Sequence, residues 1–595
     1  MTYDVSPARV RPPRLHDTER LATATGALLL LAAAASLGLR FRALPPAIDL
    51  RAMTWDAASH ALIGLDIYDH LRRVEPLLLL LRLQSEHWWP PLFGLLSLPA
   101  YLLGGRQLSS PSLVSLASYS LIPALIWLSL RRITSAVPLL AWSLVALFAL
   151  RSPQLIEMST WSMLELPATL FAVAAFYCFF AGPESRGRNW AYGLAGASTL
   201  LKYHYGFFLL VTFGVATIVE LDRNDRRAFA LQVRSRLQRP AVWISGAILV
   251  AAIIARRIAE TLHPNPPIPG VPNLIWIGYI AAAVAMLIGR DDTRQLWAAL
   301  PVPIRRFIDC GLIWPMIWCI DPANVRAWYR ELHVQTDPPA RWIDQVREIE
   351  RYLTDDYFLG PAILAAAAAG LVLAIVEGVR RRRVDVLAVA FQAIWPVALM
   401  TLSKHRIESR FLSTMVAALV LSAVIGWALL LERRHVAVRL AAGVALFGVL
   451  AAEQAARAID WDQQLLRRRV YGYLSSDPPD RFVRATVKAF THGQPVLIIL
   501  PRDIQVVAPT VRLALRLALP DVRPDAVDVR GGDAARLAAR LRHFPGGVIG
   551  AEAEPAALRR LAEQHGMRIT GMARGPELPD GRRALLMVSV ERVAQ

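Results

Sequence analysis

The sequence has little cysteine and little lysine, and it lacks the motifs of metal and nucleotide sites. Its three cysteines lie in or beside apolar segments, without the spacing of metal ligands or of a redox pair: Cys178, Cys310 and Cys319. We expect them to be small buried side chains. The pairs Gly531-Gly532 and Gly546-Gly547 are typical of turns and form no phosphate-binding loop. These absences argue against zinc or thiol-redox chemistry, and against a nucleotide site near the end of the chain.

Charged residues are also scarce, because apolar segments run through most of the chain. Of the 595 residues, 55% are hydrophobic and 19% are charged, and the mean hydropathy is +0.38. Apolar residues in blocks at this level predict a polytopic membrane protein. The net charge of +19 would suggest nucleic acid for a soluble domain. Here arginine is concentrated in short loops between apolar segments, where it sets orientation, so no nucleic-acid partner is predicted.

The apolar segments predict about thirteen transmembrane helices within residues 21–452. They are Leu21 to Phe41, Ser112 to Leu130, Ala136 to Leu150, Leu164 to Ala181, Trp190 to Leu201, Tyr205 to Val219, Ala241 to Ile258, Pro272 to Ile288, Phe307 to Ile320, Pro361 to Val379, Val384 to Leu402, Phe411 to Leu431 and Val436 to Ala452. Residues 1–20 are polar and arginine-rich, and no small-residue cleavage site follows the first apolar segment. We therefore expect a cytoplasmic tail and an uncleaved first span.

Basic loops predict the orientation of these spans. Counted from a cytoplasmic start, successive inner connections are rich in arginine, from Arg131-Arg132 to Arg433-Arg434, as the positive-inside rule requires. This agreement holds only if residues 90–105 do not cross the membrane. We expect them to be a re-entrant or interfacial part of one outer loop, residues 42–111, whose residues 66–73 form amphipathic helices on the membrane. Arg256-Arg257 falls on the outer side and is the clearest exception.

The composition changes after Ala452. Short apolar runs such as Val496-Leu497-Ile498-Ile499-Leu500 alternate with amphipathic segments such as residues 533–541. This alternation predicts a small α/β domain in residues 470–595, which the span count puts outside the cytoplasm. An accessory or acceptor-binding role suits such a domain, but the sequence does not choose between them.

An aspartate and two histidines follow the first apolar segment, where the chain leaves the membrane. The stretch Trp55-Asp56-Ala57-Ala58-Ser59-His60 is followed by His87-Trp88-Trp89-Pro90-Pro91-Leu92. An exposed carboxylate at the membrane surface stays ionised and can act as a base, whereas one within the hydrocarbon would cost several kcal/mol. The alternative is that Asp56 only caps a helix.

Cations on the predicted outer side could meet a phosphate. Lys202, Lys404, Arg406 and Arg410 each lie at an outer helix end. Cleavage of a polyprenyl phosphate sugar leaves negative charge on the phosphate at the membrane surface, and cations stabilise that charge. An acceptor hydroxyl also needs a base, for which Asp56 is the natural choice. The alternative for each cation is ordinary snorkelling, although lysine is so rare here that Lys202 stands out.

Two glutamates flank the second outer loop, residues 151–163. Glu157 and Glu165 could orient an acceptor or bind a divalent cation together with Asp56. The alternative is a carboxylate at a helix start, stabilised by the helix dipole. No residue spacing forms a metal signature, so no cofactor is predicted with certainty.

The order of these motifs resembles the GT-C superfamily of membrane glycosyltransferases, in particular the bacterial relatives of protein O-mannosyltransferases and of the aminoarabinose transferase that modifies lipid A (glycosyltransferase family 39-like). The resemblance covers about the first 430 residues. The motifs that carry it are Trp55-Asp56-Ala57-Ala58-Ser59-His60-Ala61, His87 to Leu92, Leu102-Leu103-Gly104-Gly105, the Ser152-Pro153 loop with its glutamates, Leu201-Lys202-Tyr203 and Arg406-Ile407-Glu408-Ser409-Arg410-Phe411.

The resemblance implies a catalytic base, an inverting reaction and a polyprenyl phosphate sugar as donor. It makes Asp56 the base and Lys202 and Arg410 the donor-phosphate residues, and it places His87 in a loop that shapes the site, as His60 would also do. Two departures stand out. The family often has Asp-Glu where this chain has Asp56-Ala57, and the Pro-Pro motif here is preceded by Trp88-Trp89 rather than directly by His.

The sequence thus predicts an inverting glycosyltransferase with a GT-C membrane domain and its chemistry on the extracytoplasmic face of a bacterial inner membrane. Its partners would be a lipid-linked donor and a lipid, glycan or protein acceptor. Three alternatives stay open. A transporter would need mid-span ionisable residues and an internal repeat, a scaffold presenting the C-terminal domain would not need Asp56, and a glycan polymerase or ligase would use a diphosphate-linked donor.

Overall fold

The fold comes from a computed structural model, which describes most of the chain. The described stretches are residues 17–43, 55–77, 90–107, 110–135, 139–237, 300–319, 341–354, 358–402, 407–432, 434–452, 494–500, 524–528, 534–551, 554–574 and 586–593, with the short pieces 79, 83, 243–244, 247–248, 251, 297, 324–325, 512–513 and 516–517. The predicted spans Ala241 to Ile258 and Pro272 to Ile288 fall almost entirely outside them.

Helices make up the described part of the membrane domain. They are α1 (Asp17–Ala43), α2 (Trp55–Arg72), α3 (Leu92–Gly104), α4 (Ser112–Ile133), α5 (Leu139–Arg151), α6 (Pro153–Met158), α7 (Glu165–Phe179), α8 (Arg186–Thr199), α9 (Tyr203–Glu220), α10 (Arg223–Leu237), α11 (Val302–Phe307), a π-helical turn (Ile308–Leu312), α12 (Ile313–Cys319), α13 (Trp342–Thr354), α14 (Pro361–Arg380), α15 (Val384–Thr401), a 3₁₀ turn (Ser409–Leu412), α16 (Ser413–Leu431) and α17 (Val436–Ala452).

Within the described residues, six helical segments are long and apolar enough to cross a membrane: Asp17–Phe41, Ser112–Ile133, Tyr203–Glu220, Pro361–Arg380, Val384–Thr401 and Ser409–Leu431. Four shorter apolar helices accompany them: α3, α5, α7 and α17. The prediction of a polytopic helical membrane protein is therefore confirmed, whereas the number thirteen stays a prediction.

Helix α16 lies at the centre of the bundle. It packs against α14 and α15, and also against α5 and α7. Its sequence is apolar throughout, and most of its residues are buried, as expected of a helix surrounded by others. The closest crossing is with α14, where a Cβ atom at Gly426 would overlap the carbonyl oxygen of Gly370. Small residues at this point let the two backbones approach.

The C-terminal region contains a five-stranded sheet with two described helices. Its elements are β1 (Val496–Leu500), β2 (Pro524–Asp528), α18 (Ala534–His543), β3 (Gly546–Ala551), α19 (Pro555–Gln564), β4 (Met567–Arg574) and β5 (Leu586–Arg592). The strand order is β2-β1-β3-β5-β4. Strands β2, β1 and β3 are parallel, and β5 pairs antiparallel with both β3 and β4. The predicted small α/β domain is confirmed, and its boundaries stay a prediction.

Candidate active site

Asp56 lies in the first turn of α2, where the helix dipole favours a negative charge. It is only 7% exposed, so the expectation of an exposed aspartate was wrong. The carboxylate forms an ion pair with the guanidinium of Arg410, through Oδ2 and Nη1. Asp56 therefore does more than begin a helix, because its carboxylate contacts an arginine that lies far along the chain.

Arg410 is held between two carboxylates. Its Nε atom lies 2.5 Å from Oε2 of Glu408, while its Nη1 atom contacts Asp56. The hydroxyl of Tyr205, on α9, donates a hydrogen bond to the main-chain oxygen of Arg410 over 3.3 Å. The guanidinium is thus fixed through both its side chain and its backbone.

Two glutamines from separate elements anchor the segment that carries Arg410. The amide of Ile407 donates to Oε1 of Gln345, on α13, over 3.0 Å. The hydroxyl of Ser409 donates to Oε1 of Gln154, on α6, over 2.9 Å. These bonds fix the backbone on either side of Glu408, and so they limit where the guanidinium can lie.

Lys202 is buried beside this pair. It precedes α9 in an extended conformation and is 4% exposed, which is not the geometry of a lysine that snorkels to water. Its ammonium lies 3.3 Å from Oε1 of Glu165, the first residue of α7, and 4.7 Å from the centre of the Phe411 ring. An ion pair and a cation–π contact therefore hold the charge.

Glu165 is completely buried and only half satisfied. Its Oε1 atom accepts from Lys202, but among the described residues its Oε2 atom has no hydrogen-bond partner. The carboxylate also interacts electrostatically with Arg410. A buried charged oxygen without a donor is costly. Glu165 is thus positioned to accept a hydrogen bond from a hydroxyl group of a ligand.

His60 lies one turn after Asp56 on α2 and is buried. Its Nδ1 atom is 2.8 Å from the carbonyl oxygen of Ser162, and a carbonyl can only accept, so Nδ1 carries the proton. Burial lowers the pKa of His60 to about 4, against the attraction of Asp56 and Glu165. His60 is therefore neutral at pH 7 and adds no charge to the site.

Opposing effects act on the ionisation of Asp56. Burial by itself would raise its pKa, but the positive charges of Arg410 and Lys202 together outweigh burial and leave the pKa below its ordinary value of 3.8. Asp56 is therefore ionised at neutral pH and can accept a proton.

The structure brings together four residues that the sequence singled out, namely Asp56, Lys202, Glu165 and Arg410, with His60 beside them. Glu157 is half-buried at the end of α6, and its role stays a prediction. The remaining three predicted residues, His87, Lys404 and Arg406, lie outside the described residues.

The Pro-Pro-Leu segment does meet the turn that carries Lys202. The amide of Leu92 donates to the carbonyl oxygen of Leu200 over 3.1 Å. The two motifs are thus neighbours in space.

Sequence reasoning missed the residues that hold Arg410. Glu408 had a signal, because an acidic residue two positions before Arg410 is close enough in sequence to pair with it. Gln154, Gln345 and Tyr205 had none, because a lone amide or phenol in an apolar chain does not show what it will contact.

An apolar cavity of about 420 Å³ opens beside the Lys202 turn. It lies between α9 and the α11–α12 segment, and its lining includes Tyr203, Phe207, Phe307 and Trp318. The indole nitrogen of Trp318 donates to the hydroxyl of Tyr203 over 3.0 Å and closes one wall. A long hydrocarbon chain suits this lining.

Metal ligands do not gather in the part of the chain that the structure describes, where no group of three or more His, Cys, Asp or Glu side chains could hold an ion. A divalent cation bound by Asp56 with Glu157 or Glu165 therefore has no described site.

The described architecture combines three features. A helical membrane domain has its buried acid on the first helix after span α1, cations at the starts of later helices, and a small α/β domain at its end. This architecture is similar to the GT-C fold that the sequence predicts.

One solved structure supports this fold. ArnT from Cupriavidus metallidurans in the apo state is 12% identical, with 95% of this chain and 98% of ArnT covered and a TM-score of 0.51. The same protein bound to undecaprenyl phosphate covers 96% of this chain and 98% of its own at 13% identity, with a TM-score of 0.33.

The oligosaccharyltransferase AglB from the archaeon Archaeoglobus fulgidus, in complex with an inhibitory peptide and a dolichol-phosphate, is 13% identical. The match covers 91% of this chain and 59% of AglB, with a TM-score of 0.36. No protein-family model matches the chain, and no curated protein matches its sequence.

Proposed function

We propose that this protein is an inverting glycosyltransferase, which moves a sugar from a polyprenyl phosphate to an acceptor hydroxyl. The observation that carries the proposal is the buried ion pair between Asp56 and Arg410, with Lys202 and Glu165 packed beside it. Two cations for a phosphate and an ionised carboxylate for a hydroxyl proton are the groups that this reaction requires.

The reaction forms one bond and breaks one. The acceptor oxygen attacks the anomeric carbon from the face opposite the phosphate, and Asp56 takes the hydroxyl proton. The bond between the anomeric carbon and the phosphate oxygen breaks, and its electron pair leaves with the polyprenyl phosphate, which gains one negative charge. Arg410 and Lys202 stabilise that charge, and the unpaired oxygen of Glu165 can hold a hydroxyl of the acceptor or the sugar.

The apolar cavity beside Lys202 supports a lipid-linked donor. Its lining includes Tyr203, the residue that follows Lys202 in the chain, so a donor whose phosphate meets Lys202 could place its isoprenoid chain there. ArnT, whose apo structure is similar in fold, has also been solved bound to undecaprenyl phosphate. Burial of apolar chain contributes roughly 25 cal/mol per Å².

The arginine-rich connections support a site on the extracytoplasmic face of the bacterial inner membrane. The acceptor would approach from that side, as a lipid, a glycan or a protein, and the C-terminal α/β domain would lie there too.

Release of polyprenyl phosphate tests the proposal directly. Purified protein in nanodiscs is given polyprenyl phosphate sugars and a native membrane extract as the source of acceptors. Wild type is compared with Asp56→Asn, which keeps the shape of the side chain but cannot accept the proton. We expect the variant to be slower by about a hundredfold or more, as for loss of a general base.

A matched control is Asp385→Asn, at the start of α15. Asp385 also pairs with an arginine, Arg383, over 2.6 Å, and its variant should keep wild-type turnover. Equal rates in wild type and Asp56→Asn would remove Asp56 from the mechanism and transfer the role of base to Glu165 or Glu157. If wild type and both variants all release no polyprenyl phosphate, transport or scaffolding would be favoured instead.

A further inference from the structure

The C-terminal region contacts the helix that carries the proposed base. Arg516 belongs to a helical piece between β1 and β2. Its Nη2 atom lies 2.9 Å from Oδ1 of Asp66 and 2.8 Å from Oδ2 of Asp69, both on α2. A single guanidinium nitrogen thus joins two carboxylates one turn apart on the same helix.

A second arginine completes a charge-balanced cluster. Arg106, which follows α3, pairs with Oδ1 of Asp69 and donates to the main-chain oxygen of Arg516 over 2.6 Å. The side chain of Asp69 is 4% exposed and that of Arg516 is 15% exposed. Buried pairs of this kind strongly restrict geometry, because removing one partner leaves a buried charge uncompensated.

An apolar contact accompanies the charges. Leu513 is buried in one apolar cluster with Ala58, Ala61 and Leu65 of α2 and Tyr101 of α3. The hydroxyl of Tyr101 also donates to the main-chain oxygen of Ala61 over 2.9 Å. The C-terminal piece therefore meets α2 through both charged and apolar side chains, between Ala58 and Asp69.

We propose that Arg516 is a positioning residue, which fixes α2 through Asp66 and Asp69 and so keeps Asp56 opposite Arg410. The clamp acts at a distance of about 15 Å along the helix, ten residues at about 1.5 Å each. Because α2 is one rigid element, a shift at the clamp moves the carboxylate, and a misplacement of about 1 Å can cost about a hundredfold in rate. This inference rests on the proposed function.

Two measurements on the full-length protein in nanodiscs test the clamp. Arg516→Ala should raise amide hydrogen exchange in residues 57–70 by about tenfold or more, while exchange in α14 stays unchanged. In the release assay it should lower kcat by about tenfold or more and change KM for the donor by less than about threefold. Arg516→Lys, which keeps the charge, should recover part of both effects.

Arg568→Ala is the control, because Arg568 also pairs with a carboxylate, that of Glu591 within the C-terminal sheet, but both of these side chains are mostly exposed. It should match wild type in both measurements. A charge exchange, Arg516→Asp combined with Asp66→Arg, should restore protection of α2 relative to Arg516→Asp alone.

The outcomes separate the two proposals. Unchanged exchange in Arg516→Ala would show that the contact does not hold α2, and raised exchange with unchanged kcat would show that it does not position Asp56. Either result overturns the inference. If wild type releases no polyprenyl phosphate, the proposed function fails and the positioning role falls with it, while the exchange measurement still decides whether Arg516 holds α2.

Discussion

Neutralising Arg410 should move the acidic limb of the pH–rate profile to higher pH. In wild type the pKa of Asp56 is below its ordinary value of 3.8, because the charges of Arg410 and Lys202 outweigh burial. Arg410→Gln removes the first of these charges and leaves burial in place. Only the ionised carboxylate can accept a proton, so activity is lost as the pH falls through this pKa.

The size of the effect follows from the geometry. A direct ion pair with arginine lowers a carboxyl pKa by about one to three pH units, which corresponds to about 1.4 to 4 kcal/mol. Asp56 is nearly buried, so solvent screens little of this interaction. Without Arg410 its pKa should rise by about one to three pH units, and the acidic limb should move to higher pH by the same amount.

The measurement is kcat/KM for polyprenyl phosphate release between pH 5 and 8, since this ratio reports the ionisation of the free enzyme. Wild type should be flat at the acidic end, whereas Arg410→Gln should fall tenfold per pH unit below its new pKa. Its maximum will also be lower, because a phosphate contact is lost, but the position of the limb does not depend on the maximum.

Arg341→Gln is the matched control, because Arg341 pairs with an aspartate, Asp344, on the exposed start of α13. It should leave the limb where wild type has it. An acidic limb at the same pH in Arg410→Gln and wild type would refute the reasoning, since the ion pair would then not set the ionisation of the base.

Two further predictions concern the second ion pair and the cavity. Glu165→Gln leaves the buried ammonium of Lys202 without a counter-charge, so thermal unfolding should show that the free energy of unfolding falls by about 3–5 kcal/mol. Added polyprenyl phosphate should reduce the difference in Tm between the variant and wild type. Equal Tm values in the two proteins would contradict the pairing. Val211→Trp should fill the cavity and raise KM for a long-chain donor but not for a short-chain analogue, whereas Val372→Trp, at a 58% exposed position of α14, should change neither.

Much of the fold was predictable, because helices in a membrane require long apolar segments. The predicted span Phe411 to Leu431 differs from α16, Ser413–Leu431, only at its start. Helix α2 was harder, since the sequence suggested short amphipathic helices at residues 66–73. It is one helix from Trp55 to Arg72. Its residues Ala58, Ala61 and Leu65 are buried with Tyr101 and Leu513, which come from distant parts of the chain.

The candidate site was predictable only in its charges. Asp56, Lys202 and Arg410 could be found because charged residues are rare and their topological side agreed. Their burial could not be predicted, because it depends on α7, α9 and the segment around Arg410 meeting at one point. For the same reason, nothing in the sequence indicates that Glu165 pairs with Lys202 rather than with an ion.

If Asp56 is the base, as we propose, the ion pairs explain why it does not act before the donor arrives. In the free protein each cation is neutralised by a carboxylate, Arg410 by Asp56 and Lys202 by Glu165, so Asp56 is ionised but weakly basic. A donor phosphate that binds the same cations adds negative charge beside Asp56, which raises its pKa and makes it a stronger base. Donor binding and base activation are then a single electrostatic event, and proton removal from an acceptor is favoured only when the leaving group is in place.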